Sequence, residues 1–268
     1  MWDPAQYALF AGHRGRPFGD LLARVEAPSP RLVVDLGCGD GLLTRGLAQR
    51  WPQARVVGID SSPQMLAAAR ADDTQGRVEW LLERVETWDP AGLGAGVDVI
   101  VTNATLQWVP GHLGLIPRWV DVLEPGGWFA MQVPANYDAP SHRLMREVAS
   151  RHPRAADLAP GLRRAAAVAE PAAYLELLSS LGLGTDVWET TYLHVLDPEG
   201  TLRSPVLEWV RATGLRPVLD VLTDRDELAA FLEDYTAALD EAYPRRAHGV
   251  VLPFRRVFAV ARREPVAS

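Results

Sequence analysis

The sequence predicts an α/β fold in which a parallel sheet is covered by helices, and three observations predict it. The apolar run Leu32-Val33-Val34 passes into Asp35-Leu36-Gly37-Cys38-Gly39-Asp40-Gly41 and then into the helix-like Leu42-Leu43-Thr44-Arg45-Gly46-Leu47. A second run, Arg55-Val56-Val57-Gly58-Ile59-Asp60, ends in an acid about twenty residues beyond that loop. From about residue 31 to about residue 134 strand-like and helix-like patterns alternate, as they do where parallel strands are joined by crossover helices.

The elements follow in order. Strands are expected at Leu32 to Leu36, Arg55 to Asp60, Val78 to Leu82, Val97 to Asn103 and Gly127 to Pro134, with turns at Pro52, Gly92 to Gly96 and Pro125-Gly126-Gly127. Ser62 is suited to cap the helix after the second strand, with Pro63 at its first position. Glu170 to Leu178 reads as a helix ended by Gly182, leading to a strand at Thr185 to Leu196. The last strand is expected at Phe254 to Arg262, around Val257-Phe258-Ala259-Val260. Two stretches, Ala135 to about Ala169 and Asp197 to about Gly249, are too long to be connections in a compact sheet protein, so each is expected to add helices to a cap.

The glycine loop is where chemistry is expected. A buried strand that ends in a tight glycine turn lets the backbone approach a ligand where side chains would collide, and such sheets bind ligands at that edge. The dinucleotide fingerprint would need a glycine at position 42, which is Leu42. Asp35 and Asp40 would oppose a pyrophosphate but suit a ligand with an ammonium and a sulfonium. Asp60 stands where a ribose hydroxyl pair would be held.

With these segments the chain resembles the class I S-adenosylmethionine-dependent methyltransferases, and more narrowly the trans-aconitate 2-methyltransferase family. The narrower resemblance is carried by Trp2-Asp3-Pro4-Ala5-Gln6-Tyr7 with Phe10, Arg14 and Arg16-Pro17, and by Gly58-Ile59-Asp60-Ser61-Ser62-Pro63. It continues through Asn103-Ala104-Thr105-Leu106-Gln107-Trp108-Val109-Pro110, Leu144 to Ala149, Thr190-Thr191-Tyr192-Leu193-His194, and Glu208-Trp209-Val210-Arg211-Ala212-Thr213-Gly214-Leu215-Arg216-Pro217. It implies a Rossmann-like, mostly parallel seven-stranded sheet whose last strand is antiparallel at a hairpin-like edge, plus helical cap insertions. A single domain over 1–268 is expected, with core sheet at about 31–134, 170–196 and 250–264 and cap segments at about 1–20, 135–169 and 197–249.

The resemblance also implies the site. Tyr7, Asp35, Gly37, Cys38, Gly39, Asp60, Ser61, Glu83, Arg84, Val85 and Asn103 are the expected S-adenosylmethionine contacts. Where members of the family usually place an Asp to read the adenine amino group, this chain has Arg84, which cannot accept a hydrogen bond. Either Glu83 or the backbone around Val85 is left to take that role.

A tricarboxylate needs cationic clamps, for which Arg14, Arg16, Arg143, Arg146, Arg211 and Arg216 are candidates, with Arg14 and Arg216 first because they lie in family-like motifs. Gln107 and Trp108 follow the fourth strand, at the edge where substrate should arrive, and Tyr192, His142 and His194 are candidates to line the acceptor. No metal-ligand spacing is present.

Composition bounds the rest. A net charge of −7 argues against a nucleic-acid partner, and Cys38, the only cysteine, fits a reducing compartment, with cytoplasm expected. Neither a leader pattern nor a run of about eighteen apolar residues is found, so no membrane partner is expected. The expected partner is a small carboxylate, and a monomer is compatible with the sequence. Trans-aconitate O-methylation leads the readings. A related methyltransferase acting on another acid or a natural-product carbon, and a non-catalytic S-adenosylmethionine-binding partner protein, stand as alternatives.

Overall fold

The computed structural model describes residues 11–94, 96–162, 168–211 and 213–265, with the side chains of 11–14 outside that description. Seven strands form one sheet: β1 (Leu32–Leu36), β2 (Arg55–Asp60), β3 (Val78–Leu82), β4 (Val97–Asn103), β5 (Leu123–Pro134), β6 (Gly184–Leu196) and β7 (Val250–Arg262), in the order β3-β2-β1-β4-β5-β7-β6. β1 pairs in parallel with both β2 and β4, and every one of its residues is buried, as its unbroken apolar run requires. The chain leaves β1 toward β2 on one side while β4 lies on the other, so strand order reverses at the carboxyl end of β1. That reversal opens the crevice in which sheets of this kind bind ligands.

Two differences from the sequence expectation concern β5 and β7. Pro125-Gly126-Gly127 is not a turn before the strand. It lies inside β5, where the register with β4 shifts between Val97 and Val99, so the extra residues are absorbed as an irregularity in a continuous strand. β7 is antiparallel as expected, since Ala135 N donates to Arg255 O at 3.0 Å and Arg263 N to Gly127 O at 2.9 Å. It does not form the edge, however. β7 inserts between β5 and β6, and β6 is the edge strand.

The chain divides into two compact units. The sheet unit comprises the described residues of Gly15–Pro134, Ala167–Glu189 and Val257–Ser268. It holds α1 (Ala11–Leu22) from Gly15 onward, α2 (Leu42–Arg50), α3 (Pro63–Asp72), α4 (Ile116–Asp121) and α7 (Pro171–Ser180). The helical unit gathers the described residues of Met1–Arg14 and Ala135–Ala166 with Thr190–Arg256. It contains α5 (Pro140–Arg151), α6 (Ala155–Leu162), α8 (Pro205–Arg211), α9 (Arg216–Val221) and α10 (Arg225–Ala242).

The helical unit has a core of its own, with Met145, Val148, Leu158, Trp209, Leu215 and Phe231 among its buried members. Each fully buried side chain of this size contributes roughly 1.5–3 kcal/mol. Two tyrosines tie α5 to that core: Tyr243 Oη accepts from Ser141 N at 3.0 Å, and Tyr235 Oη donates to Ser141 O at 2.7 Å. Burial raises the pKa of the Tyr235 phenol, so it remains a donor.

Candidate active site

The loop after β1 is held open by its own backbone. Gly37, with φ at +80°, approaches Thr105 so closely that a Cβ there would lie 2.2 Å from the Thr105 side chain. At Gly41 (φ +74°) a Cβ would meet the Trp80 ring at 2.4 Å. Only glycine fits both positions, on conformation and on space. The loop amides are already used within the chain: Gly37 N and Cys38 N donate to Ile59 O, Gly39 N to Asp60 Oδ2, Gly41 N to Cys38 O and Leu42 N to Asp40 Oδ1. A phosphate cradle needs such amides free, whereas this loop presents carboxylates. A cationic ligand fits it better.

Asp60 ends β2 and links two segments. Its Oδ2 accepts from Gly39 N at 2.9 Å and its Oδ1 from Ser62 N at 2.8 Å, leaving one lone pair on each oxygen for a hydroxyl pair. Ser62 caps α3 by accepting from Met65 N, as its sequence position suggests. Asp35 is buried beneath the loop and accepts from Thr44 Oγ1 at 2.6 Å. Burial raises its pKa to about 6, against the opposing effect of the Thr44 bond, and Asp60 adds to the rise. The Cys38 thiol is buried, and that burial raises its pKa, so it packs rather than reacts.

Beyond β3 lies a cleft of about 340 Å³ lined by Ser61, Pro63, Leu82, Glu83, Arg84 and Thr87. Leu82 is exposed there, whereas Val85 is buried. Glu83 N donates to Asp60 O at 3.1 Å, which joins the cleft to the Asp60 corner.

At the end of β4, Ala104 adopts φ +53°, a strained conformation for a residue with a Cβ. Gln107 Nε2 donates to Ala104 O at 2.6 Å and holds that turn, which leaves its Oε1 buried and, among the described residues, unpartnered. Asn103 Oδ1 is likewise a buried acceptor without a partner there. Trp108, next in line, is 47% exposed, an unusually open position for an indole.

In the helical unit the expected residues fall at separate points. His142 is half-buried at the start of α5, with Nδ1 3.2 Å from Ser141 Oγ and its ring 5.8 Å from that of Tyr137. A Cβ at Gly214 would come within 2.9 Å of His142 Nε2, so that glycine gives the imidazole its space. Burial first, and then the positive charge of Arg146, lower the His142 pKa to about 4. Tyr192 is buried on β6 and stacks on His194 at 5.9 Å, and His194 stacks on Trp209 at 5.0 Å.

The arginines separate clearly. Arg143 pairs with Glu147, Arg146 with Tyr137 O and Asp138, and Arg211 with Glu208. Arg216, at the first turn of α9, has no hydrogen bond or ion pair from its guanidinium among the described residues. Tyr7 and the side chain of Arg14 lie outside the described residues.

Comparison with known proteins fits this geometry. A methyltransferase-domain family pattern matches residues 33–127, the glycine loop through the start of β5. The chain is 55% identical to a trans-aconitate 2-methyltransferase of Streptomyces avermitilis over 98% of this chain and 97% of that protein. It is 45% identical to one of Mycobacterium tuberculosis over 97% of this chain and 96% of that one. The chain belongs to the trans-aconitate 2-methyltransferase family. Among solved structures, the YcgJ protein of Bacillus subtilis shares the fold, with a TM-score of 0.60 at 13% identity, covering 93% of this chain and 98% of that one. The plantazolicin methyltransferase BpumL, solved with S-adenosylhomocysteine, shares it at a TM-score of 0.51 and 13% identity, covering 98% of this chain and 91% of that one.

As a member of the trans-aconitate 2-methyltransferase family the chain is an S-adenosylmethionine-dependent enzyme, and its residues fit that cofactor. Asp60 retains acceptor capacity for the ribose, the loop acids complement a cationic methionine end, and the cleft after β3 has room and an apolar wall for a purine. Among the described residues no cluster of three or more His, Cys, Asp or Glu could hold a metal ion, and no helix is long and apolar enough to cross a membrane.

Sequence reading missed three residues that shape the site. Thr44 holds Asp35, Thr105 closes on Gly37 and donates to its carbonyl at 3.2 Å, and Trp80 covers Gly41 and Gly58. Thr105 stands inside the Asn103 to Trp108 run, so the motif pointed to it. For Trp80, in β3, two strands beyond the loop, sequence carries no comparable sign.

Proposed function

We propose that this enzyme methylates one carboxylate of trans-aconitate, or of a closely similar small polycarboxylate, giving a monomethyl ester and S-adenosylhomocysteine. The observation that carries the reading is the 45–55% identity, over nearly the whole chain, to proteins named trans-aconitate 2-methyltransferase. When bound, S-adenosylmethionine supplies a methyl group made electrophilic by its sulfonium. The acceptor carboxylate, with an ordinary pKa of about 4, is ionised at neutral pH, so no residue of this chain has to remove a proton.

The chain's part is therefore to bind, orient and exclude water. Asp60 holds the ribose, while Asp35 and the Gly37-Cys38-Gly39 loop face the methionine end, with Asn103 and Ser61 beside them. Gln107 and Trp108 flank the acceptor. Arg216 and Arg14 clamp the carboxylates that do not react, and the absence of a partner for the Arg216 guanidinium among the described residues supports that role. His142 and Tyr192 contact substrate without acting as bases. A pKa of about 4 leaves His142 neutral at physiological pH and weakly basic, which favours a carboxylate acceptor over a carbon acceptor that needs a base. The proposed setting is the cytoplasm, without a nucleic-acid or membrane partner.

The test is incubation with S-adenosylmethionine and a panel of polycarboxylates, followed by mass spectrometry. One added methyl on trans-aconitate, with slower reaction of saturated tricarboxylates, is the expected result. Methylation of none of the panel would move the chain to a different acceptor.

A further inference from the structure

We propose that His112, hydrogen-bonded to Tyr174, is a positioning residue for the transfer step, anchoring the C-terminal end of the segment that carries Gln107 and Trp108. The inference rests on the reading of Gln107 and Trp108 as the flank of the acceptor, and adds the group that holds them there.

The segment after β4 is a strained turn at Ala104 followed by two single helical turns, Leu106–Trp108 and His112–Gly114. A single turn fixes several dihedral angles for few hydrogen bonds and does not hold itself. The first turn has only Trp108 N donating to Thr105 O at 2.9 Å and Val109 N to Leu106 O at 3.0 Å. Thr105 ties its start to the glycine loop through Gly37 O. Its far end needs an anchor of another kind.

His112 supplies that anchor. Its ring is buried, with Nδ1 3.2 Å from Val109 O and Nε2 2.8 Å from Tyr174 Oη. A carbonyl only accepts, so Nδ1 carries the proton; Nε2 of the neutral ring is then an acceptor, to which the Tyr174 hydroxyl donates. Tyr174 Oη in turn accepts from Ala169 N at 3.3 Å. The chain Ala169, Tyr174, His112, Val109 therefore runs in one direction only. Burial lowers the His112 pKa, against the opposing effect of the Val109 and Leu106 carbonyls, and burial pushes Tyr174 up to about 12. Neither group carries charge near neutrality, so the direction is kept. Tyr174 is fully buried near the start of α7, which gives the chain a rigid end.

Displacement at a methyl group demands alignment, and a misplacement of about 1 Å can cost about a hundredfold in rate. Thr105 fixes the segment to the cofactor loop and His112 fixes it to α7. Loss of the second anchor should let Gln107 and Trp108 drift while the cofactor loop stays in place.

The experiment measures, for the full chain, kcat with trans-aconitate at saturating S-adenosylmethionine, and affinity for S-adenosylhomocysteine by calorimetry. Tyr174→Phe keeps the ring and removes the hydroxyl; it should lower kcat about tenfold and leave the affinity within about twofold. His112→Asn, whose amide can take the place of Nδ1 and donate to Val109 O, should also lose about tenfold, whereas His112→Leu, which packs but cannot donate, should lose about a hundredfold. His112→Asn combined with Tyr174→Phe should be no slower than either alone, because both break the same bond. A role in packing alone requires the reverse order, with Leu milder than Asn. That order, an additive double variant, a Tyr174→Phe kcat equal to wild type, or an affinity that falls in step with kcat would each overturn the proposal. Hydrogen exchange tests it apart from the acid: in the S-adenosylhomocysteine complex, Tyr174→Phe should speed exchange of the Trp108 and Val109 amides about tenfold and leave those of Gly37 and Gly41 unaltered. Unaltered exchange at Trp108 and Val109 would likewise overturn it. A wild-type chain that does not methylate trans-aconitate would end that reading alone, and exchange would still decide what holds the segment.

Discussion

Asp60 reaches back across the sheet edge to Gly39: the carboxylate that ends β2 accepts the amide of the loop that follows β1 at 2.9 Å. The same carboxylate accepts Ser62 N at 2.8 Å, so one side chain fixes the glycine loop and the start of α3 together. One residue therefore holds the loop geometry and, in the proposed cofactor site, the ribose as well.

Asp60→Ala should accordingly act twice. Loss of charge-assisted bonds to the ribose should weaken S-adenosylmethionine binding by about 1.5–3 kcal/mol. Loss of the partners for Gly39 N and Ser62 N should also lower the stability of the ligand-free chain by roughly 1–3 kcal/mol. Calorimetry measures the first effect and urea denaturation the second. Unaltered affinity would remove Asp60 from the binding site.

Gly37→Ala should be strongly destabilising. A methyl group would be placed 2.2 Å from Thr105 on a backbone at φ +80°. Strain and overlap together should cost roughly 2–4 kcal/mol. Chemical denaturation gives the value, and a stability within experimental error of wild type would show that the loop can move away from β4.

Asp35 predicts a pH dependence of cofactor affinity. With its pKa raised by burial from 3.8 to about 6, the group is neutral below that pH and charged above it. Affinity for S-adenosylhomocysteine, which carries an ammonium, should rise with pH through about 6 and level off above, and Asp35→Asn should abolish the rise. The sign for folding is opposite. A raised folded-state pKa favours the folded chain fully below about 4, and that contribution is lost as pH rises through about 6.

Turnover at saturating cofactor should behave differently. His142, pushed down to about 4 by burial and then by Arg146, stays neutral across the range in which the acceptor carboxylate is ionised. The maximal rate should be flat from about pH 6 to 8, in wild type and in His142→Ala alike. A rate rising tenfold per pH unit in wild type, and flat in His142→Ala, would restore a base mechanism and an acceptor other than a carboxylate.

Arg216→Ala should raise the Michaelis constant for a tricarboxylate by about ten- to 150-fold, the effect of losing a charge-assisted pair worth about 1.5–3 kcal/mol. Cofactor affinity should change less. Arg143→Ala is the comparison, since that side chain already pairs with Glu147 on its own helix and should shift the constant by less than about threefold. Equal constants for Arg216→Ala and wild type would place the carboxylate clamp elsewhere.

The local sequence determined what depends on short stretches of chain. The strands at Leu32–Leu36, Arg55–Asp60, Val78–Leu82 and Val97–Asn103, and the Ser62-Pro63 helix start, follow from hydrophobic runs and capping chemistry that neighbouring residues contain in full. The glycine loop and its acids were legible for the same reason, and with them the kind of cofactor. Tertiary structure alone decided where long strands sit and what faces what. Pro125-Gly126-Gly127 reads locally as a turn, yet it lies inside β5, where the register with β4 passes over it and Gly126 and Gly127 bond instead to Arg263 just past β7, and β7 lies inside β6 rather than at the edge. Only the folded chain closes Thr105 on Gly37, lays Trp80 over Gly41, and leaves the Arg216 guanidinium without a partner among the described residues while Arg143, Arg146 and Arg211 find partners. Those contacts join residues distant in sequence, and whether an arginine is a clamp or half of an ion pair depends on which charges folding brings within reach.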